Sequence, residues 1–213
     1  MKTSLKQQGF TLIEIALVMI IIGVIVSAIT SIVPEFIQSG KIRKSKAIVE
    51  KNMYAIEGYL AANGRCPCPD ADGDGLEDRD GTDNCTSNKC EGDIPYRTLG
   101  LSSGGDNWGT TLRYAVYDNC TRTTLSGLCG YLAEFTAGTY DATLLHTNSG
   151  TNELNHAYAV VSAGPNRDFN GKNSTLNMEY EVPDKMGDPD YDDILKVYSF
   201  TVLHGKHCSG NLN

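Results

Sequence analysis

Asp70, Asp72, Asp74 and Asp78 stand at positions one, three, five and nine of a loop in which Gly75 is sixth and Leu76 seventh, with Asp80 close behind. Alternating carboxylates in a tight turn that glycine permits converge on one centre. That suits calcium, a hard cation that takes six to eight oxygens at about 2.3 to 2.6 Å, one of them here the Leu76 carbonyl. Position twelve, usually a bidentate glutamate, is Gly81, so Asp80 or Asp83 must stand in for it. A solvated turn rich in Asp and Gly is the competing expectation. A second acidic set, Asp184, Asp188, Asp190, Asp192 and Asp193, repels itself unless a cation or nearby bases offset it. Asp192 and Asp193, with help from the loop holding Asn166 and Asp168, form the second candidate calcium site.

Seven cysteines exceed what a reduced cytosolic domain of this size carries, and none has the CxxC spacing of a zinc ribbon. They point to an oxidising compartment. The short separations Cys85 to Cys90 and Cys120 to Cys129 suggest two local disulfide loops, with Cys66, Cys68 and Cys208 competing for a third bridge. Disulfides plus surface histidines are expected here over a metal centre built from His204, His207, Cys208 and the Cys66/Cys68 pair. No nucleophile elbow, HExxH, phosphate loop or dinucleotide fingerprint is present, and the four histidines are dispersed. No catalytic residue is assigned, and the chain reads as a non-enzyme.

The N-terminus carries a different chemistry. Lys2 and Lys6 precede an abrupt apolar run in which 18 of the 24 residues from Phe10 to Val33 are apolar. As a helix this run spans about 36 Å, enough for a hydrocarbon core of roughly 30 Å. Its one ionisable residue is Glu14, costly in hydrocarbon unless paired or neutralised. The segment GFTLIEIALVMIIIGVI, with Gly9, Phe10 and Glu14 in it, resembles the N-terminal signature of type IV pilins and pseudopilins. The resemblance implies cleavage between Gly9 and Phe10 by prepilin peptidase, N-methylation of Phe10, and extraction from the inner membrane into a helical filament through an assembly platform. It also gives Glu14 a partner, the freed α-amino group of Phe10 in a neighbouring pilin or pseudopilin subunit, which turns two costly charges into one ion pair.

An ordinary secretory signal cut after Ala28 is the alternative and would release a soluble calcium-binding or adhesin-like protein. Glu14 within the apolar stretch and the continuation of that stretch to Val33 count against it. A plain uncleaved signal anchor is a third reading. Lys41, Arg43, Lys44 and Lys46 outnumber the leader lysines, so the positive-inside rule alone would put the C-terminal part in the cytoplasm. The cysteine count says the opposite and carries more weight. The expected location is a single pass of the bacterial inner membrane with a periplasmic head.

The elements that must position these groups follow from periodicity. Ile42, Val49, Met53, Ile56 and Leu60 form an amphipathic helical stripe that runs to a stop at Asn63-Gly64, with Pro34 where a long helix would kink. Leu112 to Tyr117, Cys129 to Phe135, His156 to Ser162 and Leu195 to Leu203 read as strands of an antiparallel sheet. The fold class is α+β, a long helix packed on a small sheet, the pilin-like arrangement. The organisation is a leader over 1–9, a transmembrane or filament-core helix over 10–33, its amphipathic second half over 34–64, a cysteine-bounded acidic insertion over 65–107, and a β-sheet head over 108–213. Asp106-Asn107-Trp108-Gly109, Ser162-Ala163-Gly164-Pro165-Asn166 and Asp192-Asp193-Ile194 resemble, in order, the C-terminal half of calcium-binding pseudopilins of type II secretion. A formal charge of -8 disfavours nucleic acid as a partner.

Overall fold

The computed structural model describes residues 11–81, 84–86, 90–122, 125–136, 140–150, 153–183, 185 and 191–208. The chain divides into two compact units, Met1–Gly40 and Lys41–Asn213. Helix α1, Leu12–Asn63, contributes to both, and helical hydrogen bonding continues past Pro34.

In the first unit the helix is apolar all round and bare. Leu12 is 90% exposed, Ile13 78% and Phe36 73%, and the buried face that a soluble helix would show is missing among the described residues. By length and composition the helix is apolar enough to cross a membrane. Such a surface, rather than an amphipathic stripe, calls for lipid or other apolar helices around it.

In the second unit Val49, Met53, Ile56 and Leu60 are buried as their spacing predicts, and Ile42 packs at the margin of the same core. The helix stops where expected. Gly64 takes a φ of 72°, and its N–H donates to the Leu60 carbonyl at 2.8 Å, closing the last turn in a left-handed conformation that glycine adopts without penalty.

Six strands form one curled mixed sheet: β1 Glu91–Asp93, β2 Arg113–Val116, β3 His146–Asn148, β4 Glu153–Ser162, β5 Glu179–Tyr180 and β6 Ile194–Ser199. The long strand β4 organises it. Its first residues pair with β3, and the remainder pairs with β2 on one side and β6 on the other. Alternation sorts the side chains: Tyr114, Val116, Tyr158 and Val160 join the core that α1 covers, while Ala115, Ala159, Val161 and Leu195 join a second cluster with Tyr180 and Met178. A central strand covered on both faces explains why β4 is buried from His156 onward.

Several expectations are corrected. The sheet is not wholly antiparallel, because β3 and β5 pair in parallel. Cys129 to Phe135 lies inside a helix, α3 Leu125–Thr136, and not in a strand. Leu128 and Leu132, both fully buried, are four apart, a helical spacing that outweighs the aromatic content. The last expected strand ends early: Ser199 caps helix α4, Phe200–His207, its Oγ accepting from the Val202 N–H.

The disulfide pairing also differs. The bonds are Cys66–Cys120, Cys68–Cys85 and Cys129–Cys208, and Cys90 is free and buried. Neither expected local loop, Cys85 with Cys90 or Cys120 with Cys129, forms. Cys120 lies in the short helix α2, Asp118–Arg122, where its carbonyl accepts the Cys66 N–H at 2.7 Å and brings the two Cα atoms to 5.2 Å. Cys129 on α3 faces the end of α4, with its Cα 5.5 Å from that of Cys208. Element packing, not sequence distance, decides which thiols meet.

Candidate functional sites

Glu14 lies in the exposed first turn of α1, where its N–H donates to the Thr11 carbonyl at 3.1 Å. A carboxylate near a helix N-terminus is favoured by the unpaired amides there. Gly9 and Phe10 lie outside the described residues.

The acidic loop is built from the sequence as follows. The Cys68–Cys85 bond closes it, and reciprocal backbone hydrogen bonds between Asp70 and Asp93 pin its first residue to β1. Asp70, 3% exposed, accepts from the Gly73 and Gly75 N–H groups, one on each oxygen. Gly75 has a φ of 86°, and a Cβ there would stand 2.4 Å from the Tyr96 ring, so both conformation and space require glycine. Asp78 accepts from the Ala71 and Asp72 amides, which folds the loop back on itself.

The result brings oxygens of Asp70, Asp72 and Asp78 within 4.8 Å of one another. Asp74 and Asp80 are not in that group: Asp74 accepts from the Leu76 N–H and Asp80 from the Asn84 N–H, each making its own local turn. Every carboxylate oxygen that takes one amide keeps a second lone pair for a cation.

Sequence spacing missed the residue that anchors this loop, Glu77. Arg65 binds it with two nitrogens at 2.7 and 2.8 Å, the Tyr59 hydroxyl donates at 2.8 Å and the Cys68 N–H at 3.0 Å. Burial alone would raise its pKa. Arg65, Cys68 and Tyr59 overcome that and hold it at about 2. Burial first, and then the same hydrogen bond to Glu77, push the Tyr59 hydroxyl up to about 12. Glu77 therefore ties the loop to the end of α1 and is not spare for a metal.

The second cluster joins the loop after β4 to the start of β6. Asp192 accepts from the Asn166 N–H at 2.9 Å, and Asp193 from the Asn170 N–H at 2.9 Å and the Asn173 side-chain amide at 2.8 Å. In each aspartate these bonds fall on Oδ2, while Oδ1 is buried with no hydrogen-bond partner. Gly164 passes so close beneath that a Cβ would lie 2.1 Å from the Asp192 carbonyl. Burial, with Asp192 adding to it, raises the pKa of Asp193 to about 6 against the pull of Asn173 and Asn170. Asp192 is likewise raised by burial, with Asp168 contributing. Asp168 itself is exposed, its N–H donating to the Asn166 side chain. Each of these aspartates keeps one buried carboxylate oxygen without a donor, but among the described residues only Asp70, Asp72 and Asp78 gather as a carboxylate group, and Asp168, Asp192 and Asp193 do not. Asn170 and Asn173 were not anticipated; the Asn170-Gly171 pair was the available turn signal. Asp184, Asp188 and Asp190 lie outside the described residues.

Asp106 has a structural task. Its Oδ1 accepts from the Trp108 and Thr110 N–H groups and its Oδ2 from the Ser162 hydroxyl at 2.7 Å, while Asn107 N–H reaches Ser45 on α1. The Asp-Asn-Trp-Gly turn thus locks β4 and α1 together.

A bare apolar helix headed by Glu14, followed by a curled sheet in a unit that carries three disulfides, is a pilin-like α+β arrangement. Residues 4–30 match the family model described as the prokaryotic N-terminal methylation motif. That motif, with the long helix and curled sheet behind it, supports the type IV pilin and pseudopilin family. No curated protein and no solved structure matches this chain.

Proposed function

We propose that this chain is a pseudopilin or minor pilin, a structural subunit of a type II secretion pseudopilus or a type IV pilus-like filament. The observation that carries the reading is the methylation motif at the head of a helix with no buried face in its first unit. Prepilin peptidase cuts between Gly9 and Phe10, and the methylated Phe10 amino group pairs with Glu14 of a neighbouring subunit. The subunit waits in the inner membrane with its head in the periplasm, where the three disulfides are stable. The resemblance in the C-terminal half favours the secretion pseudopilus.

The reading includes calcium. Asp192, Asp193 and the Asn166 to Asp168 loop hold one ion, with the orphaned Oδ1 atoms as ligands, and Asp70, Asp72 and Asp78 hold a second. The ion supplies positive charge that joins two loops and removes carboxylate repulsion; it carries no reaction.

The test is substitution in the native host. Gly9→Ala is expected to leave the precursor uncleaved. Glu14→Ala is expected to be processed but to give at least a tenfold drop in subunits cross-linked within filaments. Wild-type levels of cross-linking in Glu14→Ala would overturn the pairing role.

A further inference from the structure

The free thiol of Cys90 is not isolated. Cys90 and Cys85 line one cleft of about 330 Å³, together with Tyr117, Asp118, Arg122 and Met178. Cys90 is 5% exposed and belongs to the main core, against which Cys85 packs. Cys85 is half of the Cys68–Cys85 bond, so the residue with the free thiol and one residue of a disulfide line the same cleft.

The surroundings supply the remaining parts of an exchange. The Cys90 thiol donates at 3.5 Å to Asp118 Oδ1, an oxygen that also accepts from Arg122 Nε at 2.7 Å. On the far side of the disulfide, an Arg79 guanidinium nitrogen lies 3.6 Å from Cys68 Sγ, where negative charge would develop on a departing sulfur. Arg79 also pairs with Cys85 through an isolated β-bridge, so the guanidinium and the bond to be broken are held by the same turn. Cys90 has a φ of 55°, a left-handed conformation that a residue with a Cβ adopts only when its surroundings hold it there.

We propose that Cys90 is the attacking thiol of an internal disulfide exchange that converts the Cys68–Cys85 bond into a Cys85–Cys90 bond and releases Cys68. Cys90 sulfur attacks Cys85 sulfur in line with Cys68, a new S–S bond forms as the old one breaks, and the electron pair leaves on Cys68 sulfur beside Arg79. The Cys90 proton leaves to hydroxide or water entering the cleft, and the released Cys68 thiolate takes a proton from water, so the charge balances. One disulfide is lost and one gained, so no oxidant or reductant is consumed. Because the Cys68–Cys85 bond closes the ring that contains Asp70 to Asp80, exchange removes the covalent closure at its N-terminal end and leaves that end held by the Asp70 bonds to β1 and the Glu77 bonds to Arg65 and Tyr59.

Burial holds the Cys90 thiol neutral, so exchange is slow in the resting protein and accelerates as pH rises. The experiment uses the full oxidised chain in detergent, held at pH 7 and pH 9 with iodoacetamide as the trap, followed by peptide mapping without reduction. Exchange gives alkylated Cys68 in the same molecules as a Cys85–Cys90 link, at least tenfold more at pH 9, and several-fold less in Arg79→Gln. Label on Cys90 alone at both pH values overturns the proposal. So does label spread over Cys66, Cys120, Cys129 and Cys208, which marks unfolding and random reshuffling. A second variant removes dependence on rates: oxidised Cys68→Ser is expected to contain no free thiol and a Cys85–Cys90 bond, whereas two free thiols overturn the geometry.

Discussion

His156 shows at the residue scale how burial sets a pH limit on this fold. It is 4% exposed, its Nε2 meets the Thr147 hydroxyl at 2.8 Å, and its Nδ1 is buried without a partner. Burial first, and then the neighbouring His146, lowers its pKa to about 4. A histidine kept neutral in the fold but free to protonate when unfolded stabilises fully above the unfolded pKa near 6.5. That contribution is lost as pH falls from 6.5 through 4, and it amounts to on the order of 3 kcal/mol. The melting temperature is expected to fall over this range in the wild type and to fall less steeply in His156→Gln, as thermal unfolding at pH 7, 5.5 and 4.5 would register. Nothing in the sequence marked His156, since a histidine inside a β-rich stretch reads equally well as surface or core. The carboxylate loop was legible only in part: its spacing marked the turn that gathers Asp70, Asp72 and Asp78, while Asp74 and Asp80 make local turns of their own. Even there, the partition of roles among Asp70, Asp72, Asp78 and the anchoring Glu77 depended on Arg65 and Tyr59, which arrive from the end of α1.

At the scale of elements, periodicity carried α1, β2 and most of β4, because one face of each meets a core and the pattern records it. It failed at α3 and at the β6 to α4 junction. There the segments are short and mixed in composition, and a cap at Ser199 or a disulfide between Cys129 and Cys208 decides the conformation. Double replacement of Cys129 and Cys208 by serine frees a loop of 79 residues and is expected to cost about 4 to 5 kcal/mol in denaturant unfolding, less if the unfolded chain stays compact. The loop after β4 and the start of β6 meet at Asp192 and Asp193, whose Oδ1 atoms are buried without a partner, and the proposed calcium reading puts an ion at that junction. With calcium at about a hundred times its dissociation constant, stability is expected to rise by about 2 to 3 kcal/mol. Chelator should lower the melting temperature of the full chain by several degrees. Asp192→Asn with Asp193→Asn should abolish most of that shift, and Asp72→Asn with Asp78→Asn should abolish the remainder; no shift in the unaltered protein would remove calcium from both sites.

On the scale of the whole molecule, one unit exposes its apolar surface and the other buries it. The first unit leaves its described apolar side chains, Leu12 and Ile13 through Phe36 and Ile37 among them, exposed, a surface that water does not tolerate in isolation and that lipid or neighbouring helices satisfy. The second is a polar, acidic head held by three disulfides. This division was plain in the sequence, because a stretch in which 18 of 24 residues are apolar needs no periodicity to be recognised. What the sequence could not supply was the pairing of its cysteines, which depends on contacts across the fold. Whether the apolar segment is retained or removed decides everything about assembly, and the mature N-terminus reports it directly. Intact mass and terminal sequencing of the chain from its native host are expected to give a methylated Phe10 start, with Met1 to Gly9 removed. A start at Ile29 would mean release as a soluble protein after cleavage behind Ala28, and would contradict a role as a filament subunit.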